Sequence, residues 1–411
     1  MTSLTDYLRQ IDIYWSNRNG KLLADWMSLR HYHAKNKNLA SENPEMTVNN
    51  YVYDPFNELV SSHLKCIYWL TKGDVERAHN EQNLLFQGFI RLLQYYKEEN
   101  WLLPLMHTLC LDLRLLANKV DQQGIGSGEE GDVIPRGNNS SVVKPREALE
   151  KAAEAMMTCF RICSSDNRSS EQDTKKWGML SLVNQLFKLY FRINKLHLMK
   201  PLIRAIDSSP FKDKYPLSQQ ITYRYYVGRK AMFDSDYKLA NESLTFAFQK
   251  CHKQSKRNKH LILIYLIPLK ILLGFLPKKE LLEKYDLLQL WEVGEAVRSG
   301  NARKLSKAIE THQNFFIKSG IYLILERLRL VTYRNLFKKV YLIANNPVLT
   351  LEDLLIALRF SEGGDIELEE ANCILANLIH QGKIKGYISH THQKVVLSKM
   401  DAFPRLSTLG Q

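Results

Sequence analysis

Gly382-Lys383-Ile384-Lys385-Gly386-Tyr387-Ile388-Ser389-His390-Thr391-His392-Gln393-Lys394-Val395-Val396-Leu397-Ser398 is the stretch that decides the fold. Apolar and polar residues alternate from Ile384 to Ser389 and again from Val395 to Ser398. His390 to Lys394 supplies the turn, so the pattern is a hairpin. Three segments of helical period lie upstream: Ile321 to Ala344, Leu351 to Arg359 behind the capping residue Thr350, and Glu367 to His380. Gly382 sits where the third helix must end, and Gly386 permits a close backbone approach in the first strand. Three helices followed by a hairpin predict a winged helix over 321–400, with 401–411 as a tail.

Upstream of it, apolar residues recur almost everywhere at i, i+3, i+4 and i+7, so the fold class is all-α with a small β element. Ala240, Leu244 and Ala247 follow Gly228 at 12, 16 and 19 residues, which matches the small-residue packing positions of a tetratricopeptide repeat. Ala231 stands where that repeat carries Tyr. Lys72-Gly73-Asp74 with Ala78, and Ser299-Gly300-Asn301 with Leu305 and Ala308, repeat the same turn-then-helix order. The reading is a TPR-like helical solenoid capped by the winged helix, with helical repeats over 1–120 and 148–320. From Gln122 to Pro145 the chain turns to Gly, Ser, Asn, Glu and Pro, so 121–147 is expected to be a flexible insertion. Lys35 to Thr47 is expected to be a loop, and Lys253 to His260 a basic connector.

Of the 411 residues, 45% are hydrophobic and 24% charged, which excludes a disordered chain. Lys and Arg outnumber Asp and Glu by 57 to 43, and the excess is regional: 28 basic against 12 acidic residues from Lys195 to Lys339. Such a surface attracts nucleic acid, acidic lipid or an acidic protein, and composition does not choose among them. The six cysteines form no C-x-x-C pair and lie mostly in apolar helical patterns, so free buried thiols in a reducing compartment are expected. The N-terminal residues show no charged region followed by an apolar run, which suggests a chain that stays inside the cell. Leu261 to Leu276 is interrupted by Pro268 and Lys270 and is shorter than the ~20 residues of a membrane span, so it reads as a buried helix.

The usual enzyme signatures G-x-x-x-x-G-K-[ST], G-x-S-x-G and H-E-x-x-H do not occur, and no catalytic role or cofactor is assigned. Gly124, Gly126 and Gly128 fall in the insertion rather than after a strand. His31 with His33, His390 with His392, and Cys159 with Cys163 each offer two metal ligands where structural zinc needs four. On the long helix, Arg327, Arg334 and Lys338 fall within about 40° of one another, opposite Leu325, Leu328, Thr332, Leu336 and Val340. That predicts a basic surface stripe, either a solvated face or a phosphate-binding one. Lys339 beside it and Lys383, Lys385 and Lys394 on the wing extend the candidate nucleic-acid surface. The third helix opens with Glu367-Leu368-Glu369-Glu370, which argues against insertion into a DNA major groove. Backbone contact remains, with Tyr387 able to stack on an unpaired base. Lys253 to Lys259 fits a nuclear import signal, a landing site for an acidic partner or a solvated turn.

A helical solenoid ending in a winged helix resembles the PCI domain shared by subunits of the proteasome lid, the COP9 signalosome and a translation initiation factor. Lys176-Trp177-Gly178-Met179-Leu180, Asn184-Gln185-Leu186-Phe187-Lys188, Asn194-Lys195-Leu196-His197-Leu198 and Pro201-Leu202-Ile203-Arg204-Ala205-Ile206 are similar to the PCI domain-containing protein 2 family. So are Tyr225 to Phe233, Thr332 to Val340 and Lys383 to His390, and the likeness runs from about Tyr51 to Leu406. The resemblance implies a non-enzymatic scaffold subunit of the second transcription-and-export complex, which couples messenger RNA production to export through the nuclear pore. It implies a hetero-oligomer with a Sac/GANP-type scaffold and a small acidic Sem-type protein, RNA or DNA held by its backbone, and no insertion into a membrane. The implied location is nuclear, including the pore, with room for a cytoplasmic pool. Asn377 and Tyr387 lie where such a family docks winged helices side by side. The alternative is a PCI subunit of a lid-like or signalosome-like assembly without nucleic-acid contact.

Overall fold

A computed structural model describes residues 3–126, 146–168 and 172–408, and divides into two compact units, Met1–Tyr223 and Arg224–Gln411.

In the first unit, helices Asn57–Lys72 and Val75–Tyr95 form an antiparallel pair. Gly73 makes the turn at φ +83°, and the Asp74 carboxylate accepts from the Arg77 N–H at 2.9 Å, so the Lys-Gly-Asp sequence ends one helix and starts the next. Helices Leu103–Gly126, Glu147–Ser164 and Met179–Ile193 extend the stack. Lys35 to Thr47 is not wholly loop: it holds the 3-10 turn Lys37–Leu39 and the start of helix Glu45–Asn49. The expected insertion begins later than its composition suggests, because helix Leu103–Gly126 runs through Gln122 and Gln123; residues 127–145 lie outside those described.

The second unit begins inside helix Leu217–Phe233, which pairs with Tyr237–Lys250. A Cβ on Gly228 would stand 2.6 Å from Leu244 Cγ, so only glycine lets these helices approach, and Ala240, Leu244 and Ala247 are fully buried. Helix Lys256–Leu272 takes up most of the expected basic connector, and Lys259 turns inward to donate to the Phe248 carbonyl at 2.9 Å. The apolar run beyond it is not one buried helix: the helix stops at Leu272, and Leu261 and Leu276 are exposed. Gln289–Ser299 and Ala302–Thr311 form another pair around Gly300 (φ +68°) and the N-cap Asn301.

The C-terminal elements are the helix Tyr322–Ala344, strand β1 (Val348–Thr350), helices Leu351–Glu362 and Leu368–His380, and strands β2 (Gly386–Ser389) and β3 (Lys394–Leu397). The antiparallel sheet has the order β1-β3-β2, with Leu349 opposite Val395 and Tyr387 opposite Val396. This is the winged helix. Its sheet has one strand more than the hairpin pattern shows, because three residues after Pro347 are too few to display alternation. Thr350 and Asp353 form a capping box that starts the second helix, a feature worth about 1 kcal/mol. Leu349, Val395 and Leu397 turn to the core with Leu354, Leu358, Leu375, Leu378 and Ile384, while Tyr387 and Lys394 share the outer face. Residues beyond 400 do not hang free. Ala402 and Phe403 join this core, and the Lys385 N–H donates to the Ala402 carbonyl at 2.8 Å.

Candidate nucleic-acid interface

Helix Tyr322–Ala344 carries most of the candidate cations, and its middle is buried on more than one side: Leu328, Val331, Thr332, Tyr333, Arg334 and Phe337 are all inside. Arg334 is therefore not on a surface stripe. It is only 6% exposed, and its Nη2 donates to the Phe403 and Pro404 carbonyls at 3.1 and 2.7 Å, while Nη1 donates to Asn335 Oδ1 at 2.9 Å. Burial lowers its pKa, yet a guanidinium remains charged. The expected surface role fails here because the wheel placed Arg334 opposite one apolar face, whereas the C-terminal residues cover the other.

The neighbouring cations behave differently. Arg327 is exposed and donates to Ser235 Oγ at 2.8 Å and to the Tyr237 hydroxyl. Lys338 and Lys339 are exposed; Lys339 Nζ donates at 2.7 Å to the Ser299 carbonyl, at the C-terminal end of a neighbouring helix. Lys383 is half-buried, donates to Gln381 Oε1 at 2.5 Å, and has its pKa lowered first by burial and then by the Arg334 charge. Lys385 pairs with Asp401 at 3.6 Å. Lys394 is exposed at the turn end of β3, opposite Ser389.

These residues form two groups rather than one stripe. Arg334, Lys338 and Lys339 line a cavity of about 670 Å³, and Arg327 and Lys383 line a second of about 410 Å³. Lys385 and Lys394 line neither. They sit at opposite ends of the hairpin, roughly 13 Å apart at strand spacing. Tyr387 is 62% exposed, on the outer sheet face with Val348 and Val396, and Asn377 is exposed on helix Leu368–His380. Glu367, Glu369 and Glu370 are exposed at the start of that helix, so the end that would enter a groove carries negative charge.

The paired histidines and cysteines are engaged within the fold or stand apart on its surface. His31 Nδ1 lies 3.0 Å from His33 Nδ1, and His33 Nε2 lies 3.2 Å from His63 Nε2, so three imidazoles form a hydrogen-bonded chain. Burial, helped by the His31 charge, lowers the pKa of His33 to about 4, and burial, helped by the His33 charge, lowers that of His63 well below the usual imidazole range. Cys159 and Cys163 are buried beside Cys110, and burial raises all three thiols, Cys163 to about 12. Neutral thiols are poor nucleophiles and ligands. Cys373 departs from the expected burial and is exposed. His390 and His392 are exposed on the wing turn. Among the described residues no three His, Cys, Asp or Glu side chains converge in a metal-holding arrangement, and no helix is long and apolar enough to cross a membrane.

The sequence reading missed Arg405. It is exposed and lines the larger cavity together with Arg298, Lys338 and Lys339. The apolar residues Phe403 and Leu406 around it were the available signal that this segment packs back.

Comparison with known proteins supplies the remaining observations. The PCI domain family matches residues 309–399, which include the three-stranded sheet and all three helices of the winged helix. The chain is 49% identical to PCI domain-containing protein 2 of Xenopus laevis over 99% of both chains. It is 47% identical to the PCI domain-containing protein 2 homolog of Drosophila melanogaster, over 98% of this chain and 99% of that one. The Dictyostelium discoideum homolog is 38% identical over 87% of this chain and 80% of its own.

Proposed function

Because the chain belongs to the PCI domain-containing protein 2 family, a family of PCI scaffold proteins, we propose that it is a non-enzymatic subunit of a nuclear complex coupling transcription to messenger RNA export. In this role the winged helix docks a Sac/GANP-type scaffold through the surface around Asn377 and Tyr387, and a small acidic Sem-type protein binds the basic helical repeats. RNA or DNA is held by its backbone at the exposed cations. The observation that carries the nucleic-acid part is the placement of Arg327, Lys338, Lys339, Lys385 and Lys394 at the surface of one unit, beside a helix whose acidic start is unsuited to reading bases.

The test is purification of the protein from nuclear extract through a C-terminal tag, with identification of co-purifying chains and of bound RNA after crosslinking. The reading expects one large scaffold, one small acidic chain and crosslinked RNA. Recovery of proteasome-lid or signalosome subunits without RNA refutes it in favour of the alternative assembly.

A further inference from the structure

Arg334 Nε is buried and has no hydrogen-bond partner among the described residues, although the rest of the guanidinium is used on the Phe403 and Pro404 carbonyls. That buried donor offsets part of what the two carbonyl bonds contribute. Arg334 lines the 670 Å³ cavity together with Arg298, Lys338, Lys339 and Arg405, and among the described residues none that lines it is acidic. Arg298 is matched by Glu295 at 3.4 Å and Lys339 by the Ser299 carbonyl. Lys338 and Arg405 enter no ion pair among the described residues. So Lys338 and Arg405 bring to the cavity positive charge that no ion pair among the described residues neutralises.

The lining is also partly apolar. Phe275 is 52% exposed and Leu276 is 43% exposed, and both line the cavity. Lys270 Nζ sits 5.3 Å from the Phe275 ring centroid. Cations in no ion pair and a half-exposed aromatic ring in one lining fit a ligand that is anionic at one end and flat and apolar at the other. The volume falls within the range of small-molecule sites, ~300–1,000 Å³, which accommodates one nucleotide.

We propose that this cavity holds a single nucleoside phosphate, its phosphate against Lys338 and Arg405 and its base against Phe275. The ligand is either a free nucleotide or one splayed nucleotide of a single-stranded RNA. The second case rests on the nucleic-acid reading above and moves its main contact from the wing to this cavity. Aromatic stacking combined with cation contacts is how unpaired bases are held without sequence readout.

The test uses the full-length protein and two probes: fluorescein-labelled decauridylate RNA followed by anisotropy, and UMP or AMP up to 10 mM followed by saturation-transfer NMR. Phe275→Ala should weaken RNA binding about tenfold with the salt slope unchanged, since stacking releases no counterions. Lys338→Ala combined with Arg405→Ala should lower the slope by about 0.7, because both cations neutralise the same single-strand phosphate. Circular dichroism checks that each variant is folded. If RNA binds but both cavity variants match wild type while Lys385→Ala with Lys394→Ala weakens it, the cavity proposal is overturned and the wing reading survives. If RNA does not bind but UMP or AMP saturates and Phe275→Ala abolishes that, the free-nucleotide form stands and the nucleic-acid reading fails. If neither probe binds, or polyglutamate displaces RNA while mononucleotides at 10 mM give no signal, the cavity is not a nucleotide site.

Discussion

Replacing Arg334 with Ala separates a residue that anchors the chain from one that merely contacts a ligand. The substitution removes two charge-assisted hydrogen bonds from Nη2, to the carbonyls of Phe403 and Pro404, and leaves both acceptors without that donor. Bonds to charged groups contribute ~1.5–3 kcal/mol each. Two sharing one nitrogen count for less than two independent ones, and relieving the buried, unpaired Nε returns part of the loss. The net destabilisation comes to about 2–3 kcal/mol. In a unit the size of Arg224–Gln411, each kcal/mol shifts the melting temperature by ~2–4 °C, so the C-terminal transition should fall by about 4–12 °C. Lys338→Ala, one turn further along and exposed, should stay within about 2 °C of wild type. Differential scanning calorimetry measures both, and limited proteolysis should release the segment after Met400 in the Arg334 variant only. A melting point within 1 °C of wild type for Arg334→Ala, with RNA binding lost, would refute the anchoring role and return Arg334 to the surface stripe.

Gly300→Ala tests the helix-pair turn: the residue has φ +68°, and a Cβ there would stand 2.7 Å from the Leu336 backbone nitrogen, which cannot give way as a side chain can. Left-handed strain of ~1–2 kcal/mol plus overpacking of ~1–3 kcal/mol predicts a loss of about 2–5 kcal/mol, read from the urea midpoint. For His33, the pKa of about 4 in the fold lies below the usual value near 6.5, so the unfolded chain binds the proton first. Stability contributed by the neutral ring is therefore intact above pH 6.5 and falls by ~1.4 kcal/mol per pH unit down to about pH 4. His33→Gln should flatten that part of the melting-temperature profile, and an unchanged slope would show that other groups carry it. Asn377→Arg, at an exposed position, should leave the melting temperature alone and reduce co-purification of the large scaffold. An unaltered complex on gel filtration places the docking surface elsewhere.

How far the sequence could be read depends on whether a residue's local neighbours decide its environment. The helix pairs were legible because Gly73 and Gly300, each followed by an Asp or Asn cap, carry their conformation in the residue type itself. The wing was legible because β2 and β3 are joined by one turn, whereas β1 pairs across more than forty residues and left no pattern. The candidate interface divides along the same line. Lys338 and Lys394 are exposed among the described residues, and a helical wheel or a strand alternation places them correctly. Arg334 differs because what covers it arrives from residues 403 and 404, nearly seventy positions away, and a wheel drawn on one helix contains no information about that segment. The same segment brings Arg405 to the cavity and Leu406 against Gly274, so folding the tail back both buries one cation and adds another beside it. A basic stripe in a sequence is thus a statement about one helix, and here the chain's last described turn buries Arg334 and leaves Lys338 and Arg405 lining a cavity.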